Sequence, residues 1–438
     1  MSSTPSSALQ PVRSRLRSPR FIVMFLALSM LFALGQFHRS SGGVLAPIFV
    51  EELMLNAKQI GLAMGAMFLA QGFIQLPSAI LIDRYGPRII VSTMSLLSVA
   101  GCFVIAVADS WSGIFIGRAL LGLGFAASLL SANTIFVNWG SIELIATLTG
   151  RYLFVGGIGA ICATFPLAYL IELSDLRSVF SMLGVATIVV ALPTYIFTRD
   201  FPDTGTKEPG EDAVRSKKTL RGSIKGLGMV LKDRRIWPAL ATALFMYSPL
   251  QITIGLWAGP FLKDVHHIPA IDRSYMLLIM AFGMVIGMPI IGPIERFFNT
   301  RRTVILVCTS LIAATFLALA AFGYAHLWLA VLLFTLISLL SSFFIVILAH
   351  GQALFPPEYA GRVVSLFNLF GITGIFVVQY ATGFIISAVT DDPNVTGSVL
   401  GYRLVFGMMT VTFIIVTVIY SRMRDIPPRV KILAGASA

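Results

Sequence analysis

The first long apolar segment of the chain contains the stretch Gln36-Phe37-His38-Arg39-Ser40-Ser41-Gly42-Gly43-Val44-Leu45-Ala46-Pro47-Ile48-Phe49. This stretch places the positive charge of Arg39 where a membrane-spanning helix would have hydrocarbon. An ionisable side chain at membrane depth is costly unless it faces the interior of a helix bundle or a water-filled cavity. Arg39 is therefore a candidate functional residue.

The same stretch recurs in the second half of the chain. Gly43–Phe49 reads Gly-Val-Leu-Ala-Pro-Ile-Phe and aligns with Gly255–Phe261, which reads Gly-Leu-Trp-Ala-Gly-Pro-Phe. One constant offset also places Glu52 on Asp264, Pro77 on Pro289, Asp83 on Glu295, Arg84 on Arg296 and Arg39 on Gln251. The sequence thus predicts two related half-molecules whose first helices differ at one polar position.

Composition and segment length predict an all-α membrane protein. Of the 438 residues, 57% are apolar and only 12% are charged, and crossing a bilayer takes a run of about 20 apolar residues in a helix. Lipid offers no hydrogen-bond partner to the backbone, so each run should be helical. Twelve such segments are predicted: 21–48, 59–82, 89–108, 112–137, 147–171, 177–197, 237–262, 274–297, 303–323, 326–349, 362–388 and 401–421.

The basic charge predicts the orientation of the chain in its membrane. The formal net charge is +12, and most lysines and arginines fall in the two tails and in loops on one side of the predicted helices. Such a bias marks the cytoplasmic side. We expect cytoplasmic termini and the lipid bilayer as the partner of the apolar surface, whereas a nucleic-acid partner is not needed to explain the charge.

Five regions are predicted along the chain, and two six-helix bundles dominate them. The longest charged stretch runs from Thr198 to Arg235, and its first half is predicted to be a flexible linker. In its second half, Leu220–Leu231 spaces apolar side chains as a surface amphipathic helix does. The regions are a cytoplasmic tail (1–20), the first bundle (21–198), a cytoplasmic linker with that amphipathic helix (199–236), the second bundle (237–421) and a cytoplasmic tail (422–438).

The loop after the second predicted helix reads Ala79-Ile-Leu-Ile-Asp83-Arg84-Tyr85-Gly86-Pro87-Arg88. It resembles the Gly-x-x-x-Asp-Arg-x-Gly-Arg-Arg signature of the major facilitator superfamily, with Ala79 and Pro87 as departures. The resemblance implies two six-helix bundles, a tight turn at Gly86, and gating contacts by Asp83, Arg84 and Arg88. Glu295 and Arg296 lie in a degenerate second copy.

The fourth predicted helix carries Gly117-Arg118-Ala119-Leu120-Leu121-Gly122-Leu123-Gly124. This run is similar to the Arg-x-x-x-Gly-x-Gly motif of the same superfamily. There the arginine is linked to proton coupling or to interdomain contacts, which would make Arg118 a gating residue. A capped structural arginine is the alternative.

Arg39 resembles the helix 1 arginine of the organophosphate:phosphate antiporter branch, where a second arginine in helix 7 completes a phosphate clamp. In this chain the second position is Gln251, and Val137-Asn138-Trp139 stands where the branch has its binding histidine. A dianionic phosphate favours two charged forks, whereas one cation suits a single carboxylate or sulfonate. The predicted neutral donors are Gln36, His38, Tyr247, Gln251, Asn368 and Gln379, with Trp257 as a wall of the cavity.

The resemblance implies a secondary active transporter with a central cavity between helices 1, 4, 7 and 10, and a substrate that is a small organic anion. We expect a bacterial inner-membrane permease with no cofactor and no enzymatic activity, because no nucleophile or phosphate-binding motif is present. Alternatives are transport of iron, an iron chelate or a siderophore (including a magnetosome-type permease), export of an amphipathic compound, and a non-transporting membrane sensor. His38 and the glutamines could instead be packing groups within the bundle.

Overall fold

A computed structural model describes residue 16 and residues 18–140, 142–202, 228–356, 359–390 and 396–428. Within these residues every regular element is a helix. The predicted tails, residues 1–20 and 422–438, fall largely outside the described residues. So does most of the predicted amphipathic helix, although its last residues, 228–231, are helical.

The described part of the first half contains nine α-helices, and some membrane-length segments are divided between two of them. We number them α1 Pro19–Ser40, α2 Gly42–Leu53, α3 Ala57–Tyr85, α4 Pro87–Ala106, α5 Trp111–Phe125, α6 Ser128–Trp139, α7 Ile142–Cys162, α8 Phe165–Leu173 and α9 Leu176–Phe197.

The second half repeats this plan, with further interruptions in its first and fourth spans. Its helices are α10 Trp237–Ala243, α11 Ser248–Ile252, α12 Ala258–Asp264, α13 Ala270–Phe297, α14 Arg302–Phe322, α15 Leu327–Leu340, α16 Phe344–Ala353, α17 Ala360–Ala388 and α18 Val399–Tyr420. A π turn at Thr253–Trp257 joins α11 to α12, and a short 3₁₀ turn at Ser341–Phe343 joins α15 to α16.

The predicted twelve apolar segments all appear as helices. In the described part of the chain, eleven helices are long and apolar enough to cross a membrane, and a bent pair, α7 with α8, makes a twelfth span if it counts as one. The two helices of that pair meet at 43°, just before Pro166 in the first turn of α8. This confirms the prediction of an all-α membrane protein.

Two compact units emerge from the contacts within the chain. The first comprises Met1–Gly42 and Leu62–Ser223, and the second comprises Gly43–Gly61 and Ile224–Ala438. The predicted bundle boundaries placed the whole first span in one bundle. The contacts instead assign α1 to the first unit and α2 to the second, so that the chain passes from one unit to the other between Gly42 and Gly43.

Candidate functional site

The first span is broken at Ser41, between α1 and α2. Helix breaks leave backbone carbonyls without their regular partners, and here the carbonyl of His38 is such a group. It accepts a hydrogen bond from Arg118 Nη1 at 2.7 Å and another from Ser41 Oγ at 3.0 Å. Arg118 therefore holds the backbone where the chain leaves the first unit.

Arg118 is fully buried in the first unit. Besides the His38 carbonyl, its Nη1 donates weakly to Ser41 Oγ, at 3.4 Å, while its Nε and Nη2 atoms are buried without a hydrogen-bond partner among the described residues. A buried guanidinium with two unused donors is costly. Its predicted gating role stays a prediction, and its observed contacts are to the break in the first span.

Arg39 lies two residues before Ser41, in the last turn of α1. Its side chain is partly exposed, and its Nη1 donates to Gln36 Oε1 at 2.9 Å, so Gln36 orients the guanidinium from one turn below. Arg39 also lies close enough to Tyr152 for the two to interact electrostatically. Tyr152 is itself fixed, because its hydroxyl donates to the Ser128 carbonyl at 3.0 Å. The arrangement presents a charged, planar donor in the last turn of an apolar, membrane-length helix.

His38, the residue before Arg39, is fully buried. Its ring packs against Phe125 and Phe180 at centroid distances of 5.7 and 6.2 Å, and its Nε2 lies 3.7 Å from Cys102 Sγ. These contacts favour the packed-histidine alternative over the predicted role of His38 as a substrate donor.

In the second unit, the seventh span is interrupted by the π turn at Thr253–Trp257, where the backbone bond runs from Ala258 N to Thr253 O. This turn coincides, through the internal repeat, with the break at Ser41 in the first span. Single π turns inside α-helices frequently mark functional sites. The two equivalent spans are thus interrupted at equivalent positions, the first by a break between two helices and the seventh by a π turn.

The segment α2 packs tightly on the seventh span within the second unit. A Cβ at Gly259 would lie 1.7 Å from the carbonyl oxygen of Gly43, so only glycine permits this approach. Farther along α2, Glu51 Oε1 and Lys263 Nζ form an ion pair at 2.6 Å. Backbone packing and an ion pair together hold α2 in place.

Two polar pairs join the seventh span to α17. Tyr247 donates its hydroxyl to Asn368 Oδ1 at 2.8 Å, and Gln379 donates its Nε2 to the main-chain carbonyl of Gln251 at 3.3 Å. Sequence reasoning selected these four residues as neutral donors around an anion. The structure brings them together in one unit, but it engages them mainly with each other.

Trp257, the predicted wall of the cavity, is fully buried in the second unit. Its indole Nε1 donates to Thr382 Oγ1 at 2.8 Å, and its ring lies edge-on to Tyr402 at 6.5 Å. These contacts are those of a packing residue that ties the seventh span to α17.

On the loop between α3 and α4, Gly86 has φ of 87°, and a Cβ there would lie 2.1 Å from Asp200 Oδ2. Asp200 Oδ1 accepts from Arg88 N at 2.9 Å and so caps the N-terminus of α4. Arg88 in turn donates its Nε to the Tyr195 carbonyl at 2.8 Å. Asp83 and Arg84 of the motif are exposed, so the capping carboxylate comes from Asp200.

The second unit has the matching cap. Asp425 Oδ1 accepts from the backbone N atoms of Arg301 and Arg302, at 3.1 and 3.0 Å, at the start of α14. Glu295 Oε2 accepts from Arg301 Nε at 2.9 Å, while Arg296 is exposed. Sequence reasoning missed both caps, although Arg199-Asp-Phe-Pro and Arg424-Asp-Ile-Pro repeat the same motif after the last helix of each half.

Asp200 also corrects the predicted extent of the flexible linker, which began near Thr198. Asn138 Nδ2 donates to the Asp200 carbonyl and Trp139 Nε1 donates to the Arg199 carbonyl, at 2.9 and 3.0 Å. The first residues of the linker are therefore held against α6.

Within the described residues, no group of three His, Cys, Asp or Glu side chains is arranged to hold a metal ion.

The sequence model of the Major Facilitator Superfamily matches residues 21–379 and 260–437. The chain belongs to this superfamily. Together with the apolar spans, the match makes it a multi-pass membrane protein of a transporter family.

Several curated relatives are named as transporters of organic anions. The hexuronate transporter of Escherichia coli K12 is 23% identical over 241 residues, covering 53% of this chain and 55% of the relative. The hexuronate transporter of Bacillus subtilis is 22% identical over 404 residues, covering 89% and 92%. The probable sulfoacetate transporter of Cupriavidus necator is 21% identical over 281 residues, covering 63% and 64%. The chain thus spans about half the length of the E. coli relative (55%).

Solved structures show the same fold. A bacterial homolog of the human lysosomal transporter Spinster superposes with a TM-score of 0.72 at 19% identity, covering 92% of this chain and 96% of that one. The nucleoside transporter NupG superposes with a TM-score of 0.71 at 14% identity, covering 91% and 98%. At these identities the likeness concerns the fold alone.

Proposed function

We propose that this protein is a permease that moves a small organic anion, a carboxylate or a sulfonate, across a bacterial inner membrane by alternating access. We propose also that its termini lie in the cytoplasm, as the distribution of basic residues indicates. The observation that carries the proposal is Arg39, a partly exposed guanidinium in the last turn of the first apolar helix, oriented by Gln36 at 2.9 Å.

Chemistry supports an anion as the ligand of Arg39. Hydrogen bonds from a guanidinium to a carboxylate or sulfonate are short and strong, and the planar fork can engage two oxygens at once. A cation within a span is retained mainly where it lines a path for a substrate or an ion. The names of the relatives, which include hexuronate, galacturonate and sulfoacetate transporters, support the same class of ligand.

The charge count favours a single anionic group. The repeat position of Arg39 is Gln251, which is neutral. Arg118, which is buried in the first unit, is engaged with the backbone at the break. A dianionic phosphate is bound best by two guanidinium groups, whereas Arg39 supplies one. We therefore expect monoanions to bind more tightly than phosphate esters of similar size.

The test is binding and transport by the purified protein, with Arg39→Ala beside Arg39→Lys. A thermal-shift screen of carboxylates, sulfonates and phosphate esters identifies the class, because a ligand at about 100 times its dissociation constant adds about 2.7 kcal/mol to stability. Uptake into proteoliposomes then measures transport. Arg39→Lys keeps the charge and loses the fork, so it should retain part of the binding that Arg39→Ala loses.

Arg403→Ala is the matched control, because Arg403 is an exposed arginine of the second unit whose guanidinium lies 3.8 Å from the ring centroid of Tyr324. It removes a cation without touching the first span. If Arg39→Ala binds and transports anions as the wild type does, Arg39 is not the anion ligand and the proposal fails.

A further inference from the structure

A groove of about 330 Å³ lies between α14 and α18 of the second unit. On α14 it is lined by the small side chains of Ser310, Ala313 and Ala314, which share one helix face because they lie three and four residues apart. Leu317 and Ile414 also line it and are 56% and 50% exposed. Small side chains between larger, outward-facing ones thus leave an elongated space on the surface that faces lipid.

The lining of the groove is apolar, because its threonine hydroxyls are already paired. Thr410 Oγ1 donates to the Phe406 carbonyl at 2.9 Å, and Thr417 Oγ1 donates to the Phe413 carbonyl at 2.7 Å. Thr417 Oγ1 also lies 2.8 Å from Thr309 Oγ1, which closes the seam between the two helices beside the groove. The groove therefore suits an apolar occupant.

Positive charge lies at the end of the groove where α14 begins and α18 ends. Arg302 starts α14 and donates its Nη2 to the Ser421 carbonyl just after α18, while its Nε is buried without a hydrogen-bond partner among the described residues. Arg422 is exposed and follows Val418 of the groove by four residues, about one helical turn. The carboxylate of Asp425 is engaged by two backbone N–H groups at the start of α14. This end therefore offers guanidinium groups to an anion.

The distance between the charged end and the groove matches the depth of a lipid chain. A rise of about 1.5 Å per residue places Ser310 about 12 Å and Leu317 about 22 Å along α14 from Arg302. One leaflet of hydrocarbon is about 15 Å deep, half of the bilayer core. A chain that starts at Arg302 would thus reach the groove within its own leaflet. In the proposed orientation this is the cytoplasmic leaflet, whose surface is negatively charged.

We propose that the groove binds one acyl chain of an anionic phospholipid, and that Arg302 and Arg422 bind its phosphate. A guanidinium matches the geometry of a phosphate and can donate to two of its oxygens at once, and basic pockets between membrane spans bind anionic head groups in this way. The site lies wholly within the second unit and does not depend on Arg39 or on the identity of the substrate.

The experiment measures the affinity of the first lipid bound by the purified full-length protein, by native mass spectrometry in detergent. Dioleoyl phosphatidylglycerol is anionic, whereas dioleoyl phosphatidylcholine has the same chains and no net charge. The wild type should prefer the anionic lipid by at least about 5-fold, the equivalent of about 1 kcal/mol for one basic side chain near an anionic lipid. Dihexanoyl phosphatidylglycerol keeps the head group and should bind at least about 10-fold more weakly, since most of the chain contact with the groove is lost.

Two pairs of variants locate the lipid. Ala314→Phe fills the groove and should weaken dioleoyl phosphatidylglycerol by about 10-fold, whereas Ala100→Phe adds the same bulk at an exposed position of α4 and should not. Arg422→Gln should lower the preference for the anionic lipid by about 5-fold. Arg403→Gln removes an exposed arginine near the opposite end of α18 and should leave the preference unchanged.

Each contrary outcome overturns the proposal for a different reason. Equal binding of the two dioleoyl lipids by the wild type would show that the site does not select an anionic head group. Equal effects of Ala314→Phe and Ala100→Phe would place the lipid outside the groove, and an unchanged preference in Arg422→Gln would separate the charged end from it. If the wild type self-associates without lipid and Ala314→Phe makes it monomeric, the groove binds a second copy of the chain instead.

Discussion

The first and seventh spans occupy equivalent positions in the internal repeat, yet they differ in both charge and backbone. The first carries Arg39 and is cut by a break at Ser41, whereas the seventh carries Gln251 and widens into a π turn. The first span thus carries a cation where the seventh span carries a neutral amide. The difference shows that two halves with a common sequence plan can place different kinds of hydrogen-bonding group at equivalent positions.

The largest expected effect is a loss of anion affinity when Arg39 is replaced by glutamine, the residue at the equivalent position of the seventh span. Arg39→Gln gives both spans a glutamine at the repeat position and removes the charge while keeping polar atoms. We expect anion affinity to fall by at least about 30-fold, because truncating one partner of a charge-assisted contact costs about 2–5 kcal/mol. Equilibrium binding of the best anion from the screen measures this, and an affinity within a few-fold of the wild type would contradict it.

The next comparison concerns how the two parts of the first span are held. In the first unit a Cβ at Gly159 would lie 2.1 Å from the Ala33 carbonyl oxygen, and in the second a Cβ at Gly259 would lie 1.7 Å from the Gly43 carbonyl oxygen. Gly159→Ala and Gly259→Ala should each destabilise the protein by about 1–3 kcal/mol, since the overpacked atoms are backbone.

Gly407 is the matched control for these two glycines. It lies within α18 with open space where a Cβ would stand, so Gly407→Ala should leave stability unchanged or raise it by about 0.5–1 kcal/mol. Thermal unfolding measures all three variants. If Gly407→Ala destabilises as much as Gly259→Ala does, the close approach of α2 to the seventh span is not the cause.

Arg118 tests whether the break in the first span depends on its clamp. Arg118→Met removes a buried guanidinium that has two unused donors, and Ser41 Oγ still satisfies the His38 carbonyl. Stability should therefore change by less than about 1 kcal/mol, because removing a costly buried charge offsets the lost bond. Transport should fall by at least about 10-fold, since misplacing binding groups by about 1 Å is severe. Loss of folding with transport intact per folded molecule would contradict this.

Much of the fold could be predicted from the sequence, because apolar length and the charge bias follow from the bilayer itself. The twelve segments, the repeat and the depth of Arg39 need no tertiary information. The breaks were harder to predict: α2 carries Pro47 without breaking there, and the chain breaks instead at Ser41, where Arg118 from a distant helix supports it.

The candidate site was less predictable than the fold, because hydrogen-bond pairing decides which end of an amide remains available. Gln379 was expected to donate to an anion, but its Nε2 is engaged by the Gln251 carbonyl. His38 sits beside Arg39 in the chain and yet is fully buried. The capping carboxylates Asp200 and Asp425 were not predicted, because the repeated Arg-Asp-x-Pro sequence lies where the chain was expected to leave the bundles as a linker and as a tail.

The smallest expected effect is a loss of stability when the Asp425 cap of α14 is removed. Partial burial raises the pKa of this carboxyl, but hydrogen bonds from Thr300 and from the backbone N–H groups of Arg302 and Arg301 outweigh it and hold the pKa below its usual value. A depressed folded-state pKa contributes stability above the unfolded value of about 3.9, and that contribution is lost as the pH falls through the folded pKa. Asp425→Ala should therefore lower the free energy of unfolding by about 1 kcal/mol at neutral pH, and its difference from the wild type should shrink below about pH 4.

Denaturation at pH 7 and pH 3 measures this difference in stability. The control is Asp272→Ala, which removes an exposed carboxylate from the first turn of α13 and should change the stability less at pH 7. A difference that is equal at both pH values would mean that the charged form of Asp425 does not stabilise the helix.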